Sequence, residues 1–206
     1  MDKFKGKYRI PSARWAAWDY GRNAAYFVTI CTADRAHHFG EIADGAMTLT
    51  PLGQAAVDCW NEIPAHFPFV VLDEFVVMPN HVHGVLVIDK PDDHPDATAV
   101  ETQNFASLQI PQIQRPPEPP QPKNRFGPQS KNLASIVRGY KIGVTKFARQ
   151  NNIPFAWQAR YHDHVIRNAE EHERIRQYII NNPQNWAEDK FYAAQPRQRT
   201  PGRHNP

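Results

Sequence analysis

Apolar and polar positions along the chain alternate in blocks that predict short strands and amphipathic helices. Residues 25–33, AYFVTICTA, are dense in β-branched and aromatic side chains and bounded by polar ones, which predicts a strand. Residues 39–50, FGEIADGAMTLT, read as two short strands around Asp44 and Gly45, a dipeptide suited to a tight hairpin turn. Thr50 then offers an N-cap hydroxyl and Pro51 a first helical residue. Leu52, Ala56, Cys59, Trp60 and Ile63 follow at helical spacing, carrying the helix to the region of Pro64. Residues 69–78, FVVLDEFVVM, and 81–89, HVHGVLVID, are strands joined by a turn at Pro79 and Asn80. Residues 132–150 predict a helix with Leu133, Ile136, Val137, Val144 and Phe147 facing inward, and residues 163–167 a short strand. In the last helix Asn168 is the N-cap, Glu171 completes a capping-box arrangement, and Pro183 ends it.

Strand, helix, strand, strand, helix, strand, helix is a split-βαβ plan with one helix added. The expected fold class is therefore α+β: a ferredoxin-like antiparallel sheet with helices packed on one side, plus an extra C-terminal helix. A chain of 206 residues is long enough to bury one core. Residues 1–22 form a basic, aromatic arm, with Trp15, Trp18 and Tyr20, and residues 23–187 form a single domain. Nine of the nineteen prolines fall in residues 90–130, which lack the apolar content to fold and read as a flexible insertion. Residues 188–206 form a basic tail.

No apolar run approaches the roughly 20 residues that span a bilayer. The basic start MDKFKGKYRI has no apolar stretch behind it, so neither a membrane span nor a signal peptide is expected, and the protein is expected to be cytoplasmic. Cys31 and Cys59 are too few and too far apart for a disulfide framework. The net charge of +3 decides nothing, but its distribution is uneven. Residues 119–162 contain no Asp or Glu and eight Lys or Arg, and the arm and tail are also basic. Such blocks suit a polyanion surface, and they equally suit a solvated face with loose tails.

His81 and His83 lie two apart in a strand and so project from one face while Val82 enters the other layer. Two such imidazoles can share a divalent ion; two core-edge histidines would read the same. Tyr178 and Asn182 stand one helical turn apart, with Glu171 on the same side nearer the start. A phenol is a weak nucleophile until a cation polarises the phosphate it faces, and packing beside Ile175 and Ile179 would explain Tyr178 as well. Tyr140, in a basic helix, is a rival nucleophile. His162 and His164 share a strand face, either near the cleft or at the surface. Trp157 and Phe155 are candidates for stacking on bases or for core packing.

In order along the chain, YFVTICT, FGEI, MPNHVHGVLVI, NLASIVRGYKIGVTK, YHDHVIRN and RIRQYIINNPQNW together resemble the REP-associated tyrosine transposases, single-tyrosine members of the HUH nucleases, over about residues 8–187. The resemblance implies a DNA endonuclease and strand transferase of DNA transposition and recombination. It implies His81 and His83 as ligands of Mg²⁺ or Mn²⁺, and Tyr178 as the nucleophile that forms a 5′-phosphotyrosine and frees a 3′-OH. Relatives carry a polar ligand one turn after the tyrosine, commonly Gln. Asn182, shorter, stands there and is the conditional third ligand. Single-stranded or hairpin DNA is the implied partner, the protein acting as monomer or homodimer, with Arg138, Lys141, Lys146 and Arg149 as backbone contacts. Two other classes remain open: a DNA-binding protein without catalysis, and a metal-dependent phosphoesterase with a water nucleophile.

Overall fold

The computed structural model describes residues 18–91 and 131–192, and the backbone of 3–4 and 7–8. Of the expected insertion only its first two residues, Lys90 and Pro91, lie among them, and Trp15 lies outside. The first two strands, β1 (Lys3–Phe4) and β2 (Lys7–Tyr8), pair with each other alone. The strands of the domain are β3 (Ala24–Cys31), β4 (Gly40–Ala43), β5 (Ala46–Leu49), β6 (Val70–Met78), β7 (His81–Ile88) and β8 (His162–Ile166). The helices are α1 (Pro51–Asn61), α2 (Ile63–His66), α3 (Leu133–Gln150) and α4 (Ala169–Asn181).

Four strands form one sheet in the order β6-β7-β3-β8, every neighbouring pair antiparallel. This is the ferredoxin-like α+β arrangement expected from the order of elements. β4 and β5 make a separate hairpin whose turn has Asp44 at φ 52° and Gly45 at φ 73°, the left-handed pair that such turns require. Thr50 caps α1, its Oγ1 accepting from Gly53 N at 3.0 Å. The apolar stretch beyond α1 breaks at Glu62 and restarts as α2, with Pro64 in its first turn, where a missing N–H costs nothing.

The strand alternation sorts the sheet into two faces. Tyr26, Val28 and Ile30 of β3 and Val82, Leu86 and Ile88 of β7 point into the main core. α1 covers them with Leu52, Ala56 and Trp60, and α3 with Leu133, Ile136, Val137, Tyr140, Val144 and Ala148. Trp60 can lie on β7 because residue 84 is glycine: a Cβ there would stand 2.3 Å from the indole Cζ2. Trp18 and Tyr20, at the end of the basic arm, close this core against Tyr26.

α4, the added helix, lies on the opposite face, along β6 and β7. Ile179 is its one buried residue, packed with Ala25, Val85 and Ile166. Asn168 caps it as expected, accepting from Glu171 N at 2.8 Å. The reciprocal half of the capping box is absent: the Glu171 carboxylate takes Arg167 N and faces His164 Nε2 instead, at 2.9 and 2.8 Å. The reciprocal box occurs on α3, between Asn132 and Ser135.

Candidate metal and nucleophile site

β7 begins at the tight turn after Met78, and its odd positions face α4. His81 and His83 are both buried there, ring centroids 4.4 Å apart. Each ring is oriented from behind. The Asn80 carboxamide donates to the carbonyls of Arg35 and Phe191, at 3.1 and 2.9 Å, which leaves its Oδ1 as an acceptor. His81 Nδ1 therefore donates to that oxygen, at 2.8 Å, and its Nε2 lone pair is left buried without a partner. His83 Nδ1 meets Thr29 Oγ1 at 2.9 Å, across the β3–β7 pair, so its Nε2 also points into the site. Such outer partners hold ligand histidines in the binding tautomer. Burial, and then the charges of Lys190, Arg35 and His37, push the His81 imidazole down to about 3. Burial, and then His81 itself, hold His83 well below the ordinary value. Both are neutral bases at physiological pH.

Across from them stands Tyr178, 42% exposed, with its hydroxyl 3.2 Å from His83 Nε2. Phe27 meets the phenol edge-on, ring centroids 6.1 Å apart, and fixes its tilt. Asn182, the C-cap of α4, is buried. Its amide donates to Asp189 Oδ2 at 3.2 Å, and its Oδ1 has no partner. Asp189 completes the cluster: ligand atoms of His81, His83 and Asp189 lie within 4.8 Å of one another. Burial, followed by the Asp189 charge, raises the Tyr178 phenol above its ordinary value.

These donors fit a divalent cation. Two neutral imidazoles and a carboxylate converge, and two buried acceptor atoms, His81 Nε2 and Asn182 Oδ1, otherwise lack hydrogen-bond partners among the described residues. Mixed nitrogen and oxygen donors suit Mn²⁺ more readily than Mg²⁺, which favours oxygen.

Asp189 escapes sequence reasoning because it lies in the stretch 188–206, whose composition reads as a basic tail. The first residues of that stretch pack into the site. Trp186 is buried, and a short 3-10 turn over Trp186–Glu188 brings Asp189 round, its Oδ1 accepting from Phe191 N at 2.6 Å. The Phe191 ring then covers His81 at 4.6 Å between centroids.

The basic residues of α3 lie elsewhere. Arg138, Lys141, Lys146 and Arg149 share a groove of about 750 Å³ on the outer surface of α3. The helix covers the other face of the sheet from the histidines. Lys141 is engaged: its Nζ donates to the carbonyls of Gln158 and Arg160, at 2.8 and 3.3 Å, and lies over Trp157. Tyr140 is no rival nucleophile. It is buried edge-on to Trp60, and burial raises its phenol well above the ordinary value. Phe155 and Trp157 pack on Phe39, in the core margin. His162 and His164 are on the site face of β8, His162 beside Thr29 and His164 paired with Glu171. Cys31 and Cys59 are both free thiols, Cys31 buried and Cys59 half-buried. Among the described residues no helix is long and apolar enough to cross a membrane.

No family model matches the chain. An uncharacterized protein of Haemophilus influenzae is 36% identical over 188 residues, which span 91% of this chain and 95% of that protein. Among solved structures, a REP-associated tyrosine transposase bound to a REP hairpin superposes with a TM-score of 0.53 at 16% identity. The match covers 88% of this chain and 77% of that one, and at this identity it speaks for the shared fold. A chain from Deinococcus radiodurans R1 aligns at TM-score 0.39 and 13% identity, too loosely to bear on the fold.

Proposed function

This chain belongs to the same family as the Haemophilus influenzae protein, and we propose that it cuts and rejoins DNA strands at the site between β7 and α4, as a single-tyrosine transposase does. The observation that carries the reading is the contact of the Tyr178 hydroxyl with His83 Nε2, beside the unpartnered His81 Nε2. The superposition on a transposase that binds a REP hairpin supports a DNA substrate.

Tyr178 Oη attacks a backbone phosphorus. An Oη–P bond forms, the P–O3′ bond breaks, and the departing 3′-oxygen takes up a proton while the phenol loses one to solvent. The product is a 5′-phosphotyrosine and a free 3′-OH. A 3′-OH can attack the same phosphorus in reverse, so strands are rejoined without an external energy source. His81, His83 and Asp189, with Asn182 beside them, are the residues that would hold Mn²⁺ or Mg²⁺. The ion would supply positive charge to the phosphoryl oxygens and against the Asp189 carboxylate that keeps the phenol protonated. Phe27 and His83 keep the phenol aimed, and Phe191 excludes water from the His81 side.

The test is a 3′-labelled DNA hairpin with single-stranded flanks, incubated with the protein and Mn²⁺ and resolved on a denaturing gel. The native chain gives a covalent protein–DNA band and Tyr178→Phe gives none. A band that survives Tyr178→Phe overturns the nucleophile. Cleavage without any band points to a water nucleophile. Binding without either points to a DNA-binding protein.

A further inference from the structure

Beside the candidate site, two cations are held in place without an acidic counter-ion. Arg35 and Lys190 are both exposed, and among the described residues neither has a carboxylate within ion-pairing distance. They come from opposite ends of the domain, and the structure ties them together at three points. Arg35 Nη1 donates to the Lys190 carbonyl at 3.0 Å. The guanidinium of Arg35 and the Nζ of Lys190 both lie over the Phe191 ring, 5.2 and 4.9 Å from its centroid. The fully buried Asn80 amide donates to the carbonyls of both Arg35 and Phe191.

The backbone is also committed to this arrangement. Asp34 and Arg35 both adopt φ 52°, a left-handed conformation that non-glycine residues rarely enter and that surrounding contacts must hold. Asn80 is in turn the residue that orients His81. One buried amide thus fixes the tautomer of a site imidazole and the position of two cations next to it. The acids nearby are accounted for: Asp189 is bonded to Asn182 and to Phe191 N, while Asp34 and Glu188 are exposed without a salt bridge to either cation.

We propose that Arg35 and Lys190 form a phosphate-binding rim that grips the nucleic-acid backbone next to the reacting phosphate. The proposal rests on the reading of the site as a DNA-processing centre and adds the residues that seat the strand there. A guanidinium fork and an ammonium held in advance on one aromatic ring lose little freedom when a phosphodiester arrives. The rim covers the His81 side of the site, whereas the α3 groove lies beyond the sheet. The strand that enters the site therefore meets Arg35 and Lys190, and not Arg138, Lys146 or Arg149.

Binding is measured in a Tyr178→Phe background, so that chemistry does not enter, by fluorescence anisotropy of the same hairpin with single-stranded flanks over a range of KCl. Neutralising two phosphate contacts to a single strand lowers the slope of log affinity against log salt by about 1.4. Arg35→Gln with Lys190→Gln is expected to show that loss and at least a tenfold weaker affinity near 0.1 M salt. Arg35→Lys, which loses the fork and its geometry but keeps the charge, retains most of the slope. Arg138→Gln with Lys146→Gln, the same change of charge on α3, is read with an oligonucleotide of the single-stranded flank alone, for which it leaves the slope near the parent's. An unchanged slope in the rim variant overturns the proposal, as does an equal loss in the α3 variant. So does an Arg35→Lys chain as weak as the double variant, which would mark the contacts as structural. With Tyr178 restored, failure of the native chain to form an adduct overturns the cleavage reading, and the salt slope still reports on the rim.

Discussion

The two faces of the sheet are built by the same four strands and are held in opposite ways. Among the described residues, twenty buried side chains form one apolar cluster on the α1 and α3 side, and four form one on the α4 side. The first face contains polar atoms without partners, the Trp60 indole N–H and the Tyr140 hydroxyl, each isolated among aromatic rings. On the second face the buried atoms without a hydrogen-bond partner among the described residues include two lone-pair donors, His81 Nε2, which converges with His83 and Asp189, and Asn182 Oδ1, whose amide nitrogen is bonded to Asp189. One face spends its contacts on stability. The other keeps buried polar groups whose desolvation is uncompensated until something positive arrives, and it lets the sparsely packed α4 carry the half-exposed Tyr178.

The largest effect expected to separate the faces is on stability. Trp60→Ala removes the indole that bridges α1, α3 and β7 and should cost about 3–5 kcal/mol, read as a shift of the urea midpoint. Ile179→Ala, on the thin side, should cost about 2 kcal/mol or somewhat more and depress adduct formation more than it depresses the midpoint. If both variants lose stability and activity in the same proportion, the division of labour between the faces is wrong.

Next is the response to a cation. Mn²⁺ at about a hundred times its dissociation constant should stabilise the native chain by about 2.7 kcal/mol, seen as a rise in Tm. His81→Ala with His83→Ala should show no rise and no cleavage, while retaining salt-sensitive DNA binding. A rise that persists in the double variant would place the ion elsewhere.

Acid should act through the same face. Above the ordinary imidazole value of 6.5 both the folded and the unfolded chain are neutral at these positions, and nothing is lost. Below it the unfolded chain takes up protons that the folded site refuses, down to about 3 for His81 and well below the ordinary value for His83. Stability of the metal-free protein therefore falls with falling pH, by up to about 1.4 kcal/mol per pH unit for each imidazole. His37, His38 and His162, also lowered by burial, add to the slope. Replacing His81 and His83 by Gln should flatten the profile between pH 6.5 and 5, and an unchanged slope would assign the effect to the other three. The smallest effect is at the cap of α4, where Asn168→Ala should cost about 1 kcal/mol, read as a small shift of the urea midpoint.

Much of this molecule is legible in one dimension. Strand periodicity puts His81 and His83 on one face and Val82 on the other, because alternate side chains of an extended chain have nowhere else to point. Thr50 and Asn168 announce helix starts through the donors they satisfy, and Asp44 with Gly45 announces a turn through the backbone angles it permits. Those features depend on near neighbours. The same logic shows why the basic stripe of α3 stands away from the site: Leu133, Ile136, Val137, Tyr140 and Val144 take the face that meets the sheet, so Arg138 and Lys146 must look outward. Which face of the sheet receives α4 is not written in its own weak apolar stripe. Only packing brings Tyr178 to His83 across ninety-five residues of sequence, and only the burial of Trp186 turns Asp189 out of a basic stretch and into the cluster. Local geometry is set by bonds and the next few side chains, so sequence by itself determined the elements and the pairing of the histidines. Convergence of side chains from distant elements is set by the shape of the whole core, so His81, His83 and Tyr178 could be named together only through a family resemblance, and the tertiary structure alone added Asp189 and supplied the contact between them.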